Sequence, residues 1–290
     1  YVNDPVSWQL SMMVVAVCCA VLFFLCFRMT RERVATSKKE NSVSSDLGFL
    51  FRNAPWWILL GSVLCFNLFS ASRYTVGPFF FASIIGEGAQ LRLFSLEFMF
   101  YAGIFFAVGE IANMLGVSLA PWITGKLGKK TTFISCLTGM SVLSICFYFV
   151  PVTGGGYWGM LLLQIFISIL TGVGSPLIWS MYADVADYAE YRFDTSSTGL
   201  VFSSSSMAQK FGGAFGGSIV TAILAAYGYD TAAGAVQSQG ALECVKVLMS
   251  FLPAAVALIS LLFMVLYPLN KNKMEHIQNY LIIHRKNNQS

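Results

Sequence analysis

The chain has 290 residues, of which 56% are hydrophobic, 15% aromatic and only 11% charged, and its formal net charge is +4 at pH 7. A positive mean hydropathy of +0.67 and 25 phenylalanines place it outside the range of soluble globular domains. A nucleic-acid partner is excluded as well, because no run of Lys and Arg is interleaved with aromatic residues.

Seven hydrophobic stretches follow one another, at 8–27, 56–85, 99–123, 132–150, 157–183, 199–227 and 245–267. Each exceeds the roughly 18 residues that a helix needs to cross a hydrocarbon layer of about 30 Å. The expectation is an all-α membrane protein with seven transmembrane helices. Residues 1–27 hold the first helix, and 28–55 form a charged, Ser-rich linker with no apolar periodicity. Residues 56–270 form a six-helix bundle, and 271–290 a polar tail in which His276 and His284 are solvated.

The second and third spans carry two ionisable residues. Arg73 lies near the outer end of its helix, where it can snorkel, whereas Glu110 lies nearer the middle and needs a proton or a base. The two form a plausible pair, and Asn67 and Asn113 on the same helices line the same cavity. Lys126, Lys129 and Lys130 fill the loop before the fourth span.

The fifth span ends in MYADVADYAEYRFD, at 181–194. In a helical continuation Asp184, Asp187 and Tyr191 share a face at i, i+3 and i+7, where two carboxylates repel unless bases approach them. Two readings stand: a latch of ion pairs with the basic loop, or a solvated acidic loop whose exposed pairs contribute roughly 0 to 1 kcal/mol each. Just upstream, Trp179 either stacks on a ligand ring or anchors at the membrane interface.

The sixth span holds Lys210 about 11 residues from its start, which at ~1.5 Å per residue is roughly 16 Å deep. A charge at that depth costs at least about 2.5 kcal/mol on insertion scales, so the lysine is a functional candidate. Ser203, Ser206 and Lys210 share a face, with Gln209 beside them. Alone, the serines read as packing groups; with Lys210 in register they read as a binding stripe. Gly212 with Gly216, and Gly213 with Gly217, form small-xxx-small pairs suited to close helix approach.

Lys and Arg set the orientation, since the cytoplasmic side carries the excess. With the N-terminus outside, 14 of the 18 basic residues fall on the inner side and only Arg92 and Lys246 on the outer. The seven cysteines show no CxxC pair and read as small packing residues. Neither an initiator Met nor a secretory signal is read at Tyr1. No HExxH, no GxSxG with partners and no metal-ligand cluster point to an enzyme or a cofactor. A seven-helix receptor is the other reading of the topology, but it leaves the Lys210 stripe without a role.

The stretch SPLIWSMYADVADYAEYRFDTSSTGLVFSSSSMAQKFGGAFGG, at 175–217, joins a D-x-x-D-Y-x-E element, a Gly-hydrophobic-x-[FY]-S opening and a Lys followed by small residues. It resembles the tenth and eleventh helices of the glycoside-pentoside-hexuronide:cation symporters, the melibiose permease-like group of the major facilitator superfamily. GVSLAPWITGKLGKK, at 116–130, is similar to the basic inter-helix loop of that superfamily. The resemblance implies helices 6 to 12 of a twelve-helix carrier in the bacterial inner membrane, with most of the amino-terminal half missing. It implies import of a sugar with Na+ or H+ by alternating access, and no cofactor. Substrate-binding residues would be Trp179, Ser206, Gln209 and Lys210, with Lys210 also coupling. Asp184, Asp187 and Glu190, with Lys129 and Lys130, would gate. Where relatives carry an Arg and a Glu after the acidic element this chain has Ser196 and Thr198, which implies a thinner charge network. A carrier of the same superfamily with a non-sugar substrate is the nearest alternative.

Overall fold

A computed structural model describes residues 5–30, 43–86, 89–93, 96–193, 198–232 and 236–287. The chain divides into two compact units, 1–41 and 42–290. The first holds one helix, α1 (Pro5–Met29), apolar along its length and exposed from Gln9 onward.

The second unit begins with a short helix, α2 (Val43–Phe51), inside the segment expected to be an unstructured linker; it closes on the buried Leu50. Asn53 then starts α3 (Ala54–Phe80), its side chain accepting the Trp56 N–H, with Pro55 in the first turn, where a missing N–H costs nothing. Near the far end Pro78 removes a donor and the helix widens into a π-helical turn, Phe81–Ile85. An antiparallel hairpin follows, β1 (Ala89–Leu93) and β2 (Leu96–Phe100), with Arg92 opposite Glu97 in register.

Helices α4 (Ala102–Leu127) and α5 (Lys129–Tyr148) meet at Gly128, whose φ of 79° a residue with a Cβ adopts only under strain. Then come α6 (Gly156–Phe193), α7 (Thr198–Ala226), α8 (Gln239–Leu266) and α9 (Lys271–Asn287). Helix α3 packs on α7 and α8, α4 on α6, and α5 on both α6 and α8. Small residues make two of these approaches close. A Cβ on Gly116 would collide with the Ile169 carbonyl and one on Gly172 with the Asn113 carbonyl, so α4 and α6 touch backbone to backbone. Likewise a Cβ on Gly216 would lie 2.7 Å from Ala71 of α3, and Gly212 abuts Leu64 of the same helix. Gly213 faces open space, so only one of the two expected glycine pairs makes a tight interface.

Two expectations need correction, and a third is met in part. Among the described residues six of the seven expected spans are helices long and apolar enough to cross a membrane: α1, α3 with its π turn, α4, α5, α6 and α8. Helix α7 has the length, at 29 residues, but Ser203 to Ser206, Gln209, Lys210 and five glycines dilute its hydropathy. The acidic stretch is no loop: α6 runs 38 residues to Phe193, because nothing between Met181 and Phe193 breaks a helix. The tail is not a free polar segment either. Met274, Ile277 and Leu281 of α9 are buried at i, i+3 and i+7, and Tyr191 of α6 packs edge-on against Tyr280.

Candidate functional site

The expected site residues fall into three polar groups within the bundle. The first lies on α7. Ser203, Ser204, Ser205 and Ser206 each donate to a carbonyl of their own helix three or four residues back. Ser204 also accepts from the Trp56 indole at 2.9 Å, which ties α7 to α3. Most of the serine run is therefore internally satisfied, as a packing stripe would be. Two residues beyond it differ. The Gln209 Nε2 is buried without a hydrogen-bond partner among the described residues. Lys210 is exposed, and no described residue forms an ion pair or hydrogen bond with it. Trp179 of α6 lies near-parallel to the Phe202 ring, 6.2 Å away and tilted 10°, with 43% of its surface open. Phe202, Ser206 and Gln209 fall at i, i+4 and i+7, so the indole stacks at one end of the face that the glutamine shares.

The second group is at the end of the bundle where α4 meets α5. Lys129 lies 2.7 and 2.8 Å from the two carboxylate oxygens of Asp184. It also reaches the Ser180 carbonyl at 3.4 Å. The ammonium thus touches both carboxylate oxygens, and Asp184, at 5% exposed, lies out of water while Lys129 stays partly solvated. Nearby, burial and then the Asp184 charge push the Tyr267 hydroxyl well above its ordinary pKa, and that hydroxyl has no partner among the described residues. Lys130, expected beside the acids, instead donates to the carbonyls of Val265, at 3.0 Å, and Tyr267. The last carbonyls of a helix lack intrahelical partners, and Lys130 caps those of α8. Asp187 and Glu190 are half-buried on α6. Ser196 lies outside the described residues, and Thr198 opens α7.

The third group sits among α3, α4 and α6. The expected Arg73–Glu110 pair does not form. Arg73 is 5% exposed and donates to the Gln164 side chain at 2.7 Å and to the Met249 carbonyl at 3.1 Å, with Phe147 5.4 Å beneath the guanidinium. It points into the bundle, whereas Glu110 is on the exposed face of α4 and accepts from the Tyr74 hydroxyl. Adjacent residues of a helix point about 100° apart, so Arg73 and Tyr74 serve different neighbours. Asn113 joins Arg73 at a cleft of about 30 Å³, room for a water or two and not for a sugar ring. Asn67 bonds back to the Val63 carbonyl at 2.9 Å, beside Gly212. Gln164, Ser168 and Tyr74 complete this group beyond the expected residues, and the sequence signal for it is a lone Gln within the apolar run LLLQIF.

Residues 2–271 match the family model described as MFS/sugar transport protein. The chain is 29% identical to an isoprimeverose transporter of Lactiplantibacillus pentosus, over 91% of this chain and 53% of that protein. It is 28% identical to a glucuronide carrier protein homolog of Escherichia coli K12, over 91% of the chain and 55% of the relative. It is 27% identical to the inner membrane symporter YicJ of the same bacterium, over 89% and 53%. The chain thus spans little more than half the length of these relatives.

Proposed function

Because the chain belongs to the MFS/sugar transport protein family, whose relatives are transporters and not enzymes, we propose that it is the carboxy-terminal part of a symporter. On this reading the carrier moves a glycoside, pentoside or hexuronide with Na+ or H+ across a bacterial inner membrane. Helix α7 is its seventh span here, α1 is the last helix of the amino-terminal half, and the N-terminus of this chain lies outside.

The observation that carries the reading is the end of the α7 stripe. Lys210 and the buried Gln209 amide, both without a partner among the described residues, are donors available to a ligand. Sugar hydroxyls accept such donors, and the C–H face of a sugar ring suits an open indole like that of Trp179. The Lys210 charge is balanced by carboxylates of the amino-terminal half that also bind the coupling cation. Binding the cation and balancing the lysine then draw on the same acids, which couples the two solutes.

Alternating access needs an element with two arrangements. Lys129 and Asp184 supply it: paired, they hold the α4–α5 turn against α6 and close the cytoplasmic side, and separated, they let it open. Asp187 and Glu190 extend the same acidic face.

The direct test uses the complete carrier in sealed vesicles. Labelled glycoside, pentoside or uronide should accumulate against its gradient when Na+ or protons are supplied outside. Accumulation of none of the three under either gradient, beside uptake of a non-sugar solute, would give the carrier a different substrate.

A further inference from the structure

At the end of the bundle that carries Lys129 and Asp184, a cleft of about 390 Å³ opens between the α4–α5 turn, the α8–α9 linker and the first turns of α9. Three lysines line it, Lys129, Lys130 and Lys271, against two acids, Asp184 and Glu275. Asp184 is committed to Lys129 at 2.7 Å, which leaves Lys130 and Lys271 facing one exposed carboxylate. Lys130 holds the α8 carbonyls with part of its ammonium. Lys271 makes only a long contact, 3.5 Å, with the Gly125 carbonyl.

Backbone charge adds to this excess. Helix α5 starts at Lys129 with Gly128 at its N-cap, and a glycine offers no side chain to the first-turn N–H groups. Those donors therefore have no capping group. Helix α9 starts at Lys271, whose Cβ lies 3.4 Å from where a Cβ on Gly128 would be, so the two helix N-termini converge on the same space. The uncapped α5 N-terminus carries roughly half a positive charge and favours an anion, whereas in α9 the Asn270 side chain already accepts the Lys273 N–H at 3.0 Å, so α9 contributes mainly through Lys271. The volume exceeds by far what one or two waters need.

We propose that this cleft binds a phosphate-bearing anion, with Lys271, Lys130 and the first-turn N–H groups of α5 as donors. Phosphate suits the arrangement better than a carboxylate because side-chain donors from α5 and α9 and backbone donors from α5 arrive from different directions, and a phosphate group offers oxygens in as many directions. The phosphate belongs either to the headgroup of an anionic phospholipid, which the position at the end of a membrane bundle favours, or to a soluble phosphorylated molecule.

The test is a calorimetric titration of the purified carrier with inorganic phosphate at constant ionic strength, with chloride as the control. Saturable binding is expected, about tenfold weaker in Lys271→Gln. It should be unchanged in Lys273→Gln, whose ammonium lies over the Tyr188 ring at 5.6 Å and does not line the cleft. Repeating the titration in nanodiscs separates the sources. Loss of phosphate binding in phosphatidylglycerol but not phosphatidylcholine assigns the cleft to lipid, and equal binding in both assigns it to a soluble ligand. No saturable binding beyond chloride, or the same loss in both variants, overturns the proposal. Melting of each variant without phosphate should match that of the unsubstituted protein, as expected for two exposed lysines.

Discussion

Lys129 of α5 grips both oxygens of the Asp184 carboxylate on α6, but the two partners are not equally buried, with side-chain exposures of 36% and 8%. This asymmetry decides what each substitution does. Asp184→Asn leaves a half-solvated ammonium, whereas Lys129→Ala leaves a buried carboxylate without its counter-ion. The expected cost is on the order of 2–3 kcal/mol for Lys129→Ala and about 1 kcal/mol for Asp184→Asn. Thermal unfolding of the purified carrier measures both, and the double variant should recover part of the Lys129→Ala loss. Equal costs would mean that the pair is bathed in water.

The same pair makes a functional prediction. Replacing Asp184 and Asp187 together by Asn should shift the carrier toward inward-open and slow turnover while sugar binding survives. Labelling of single cysteines from the cytoplasmic side reports the shift. Unchanged labelling and unchanged uptake would reduce the acids to a helix end with no gating role.

Trp179 tests the binding face. Its ring is open on one side and backed by Phe202 on the other, so Trp179→Phe should keep most sugar affinity and Trp179→Leu should lose roughly three- to tenfold. Equal affinities in the two variants, measured by equilibrium binding, would remove the indole from the sugar site.

Lys210→Ala separates coupling from binding. On the proposed coupling, in which Lys210 balances cation-binding acids of the amino-terminal half, uphill accumulation should collapse in Lys210→Ala while downhill exchange of sugar partly persists. Both are read in the same vesicle preparation. Accumulation as steep as in the unsubstituted carrier would make Lys210 a tolerated charge and nothing more.

The glycines give a prediction about packing alone. Gly116→Ala places a methyl against the Ile169 carbonyl and must push α4 off α6, at about 1–3 kcal/mol or more. Gly213→Ala meets nothing and gains helix propensity of about 1 kcal/mol. Opposite shifts in melting temperature are expected.

The sequence by itself determined whatever depends on one segment at a time. Hydrophobic length marked six of the helices, because crossing a bilayer demands about 20 apolar residues in a row wherever the rest of the chain goes. Lys210 was legible as a candidate for the same reason, since a charge inside an apolar run is costly before any partner is known. Pairings were legible only in outline: the basic loop was expected to meet the acids, but not which lysine meets which acid, and the expected Arg73–Glu110 pair does not form. Arg73 finds Gln164 across 91 positions and Lys129 finds Asp184 across 55. Which of several nearby charges meet depends on how the helices are rotated about their axes, and that rotation is fixed by packing of residues such as Gly116 and Gly172. The tail shows the division most clearly. Its i, i+3, i+7 pattern of Met274, Ile277 and Leu281 was present in the sequence, yet an apolar stripe says only that a helix will bury one face. That the buried face includes α6, and that α9 then lines the cleft beside Lys129 and Asp184, was decided by tertiary structure, because only there is a surface available to cover.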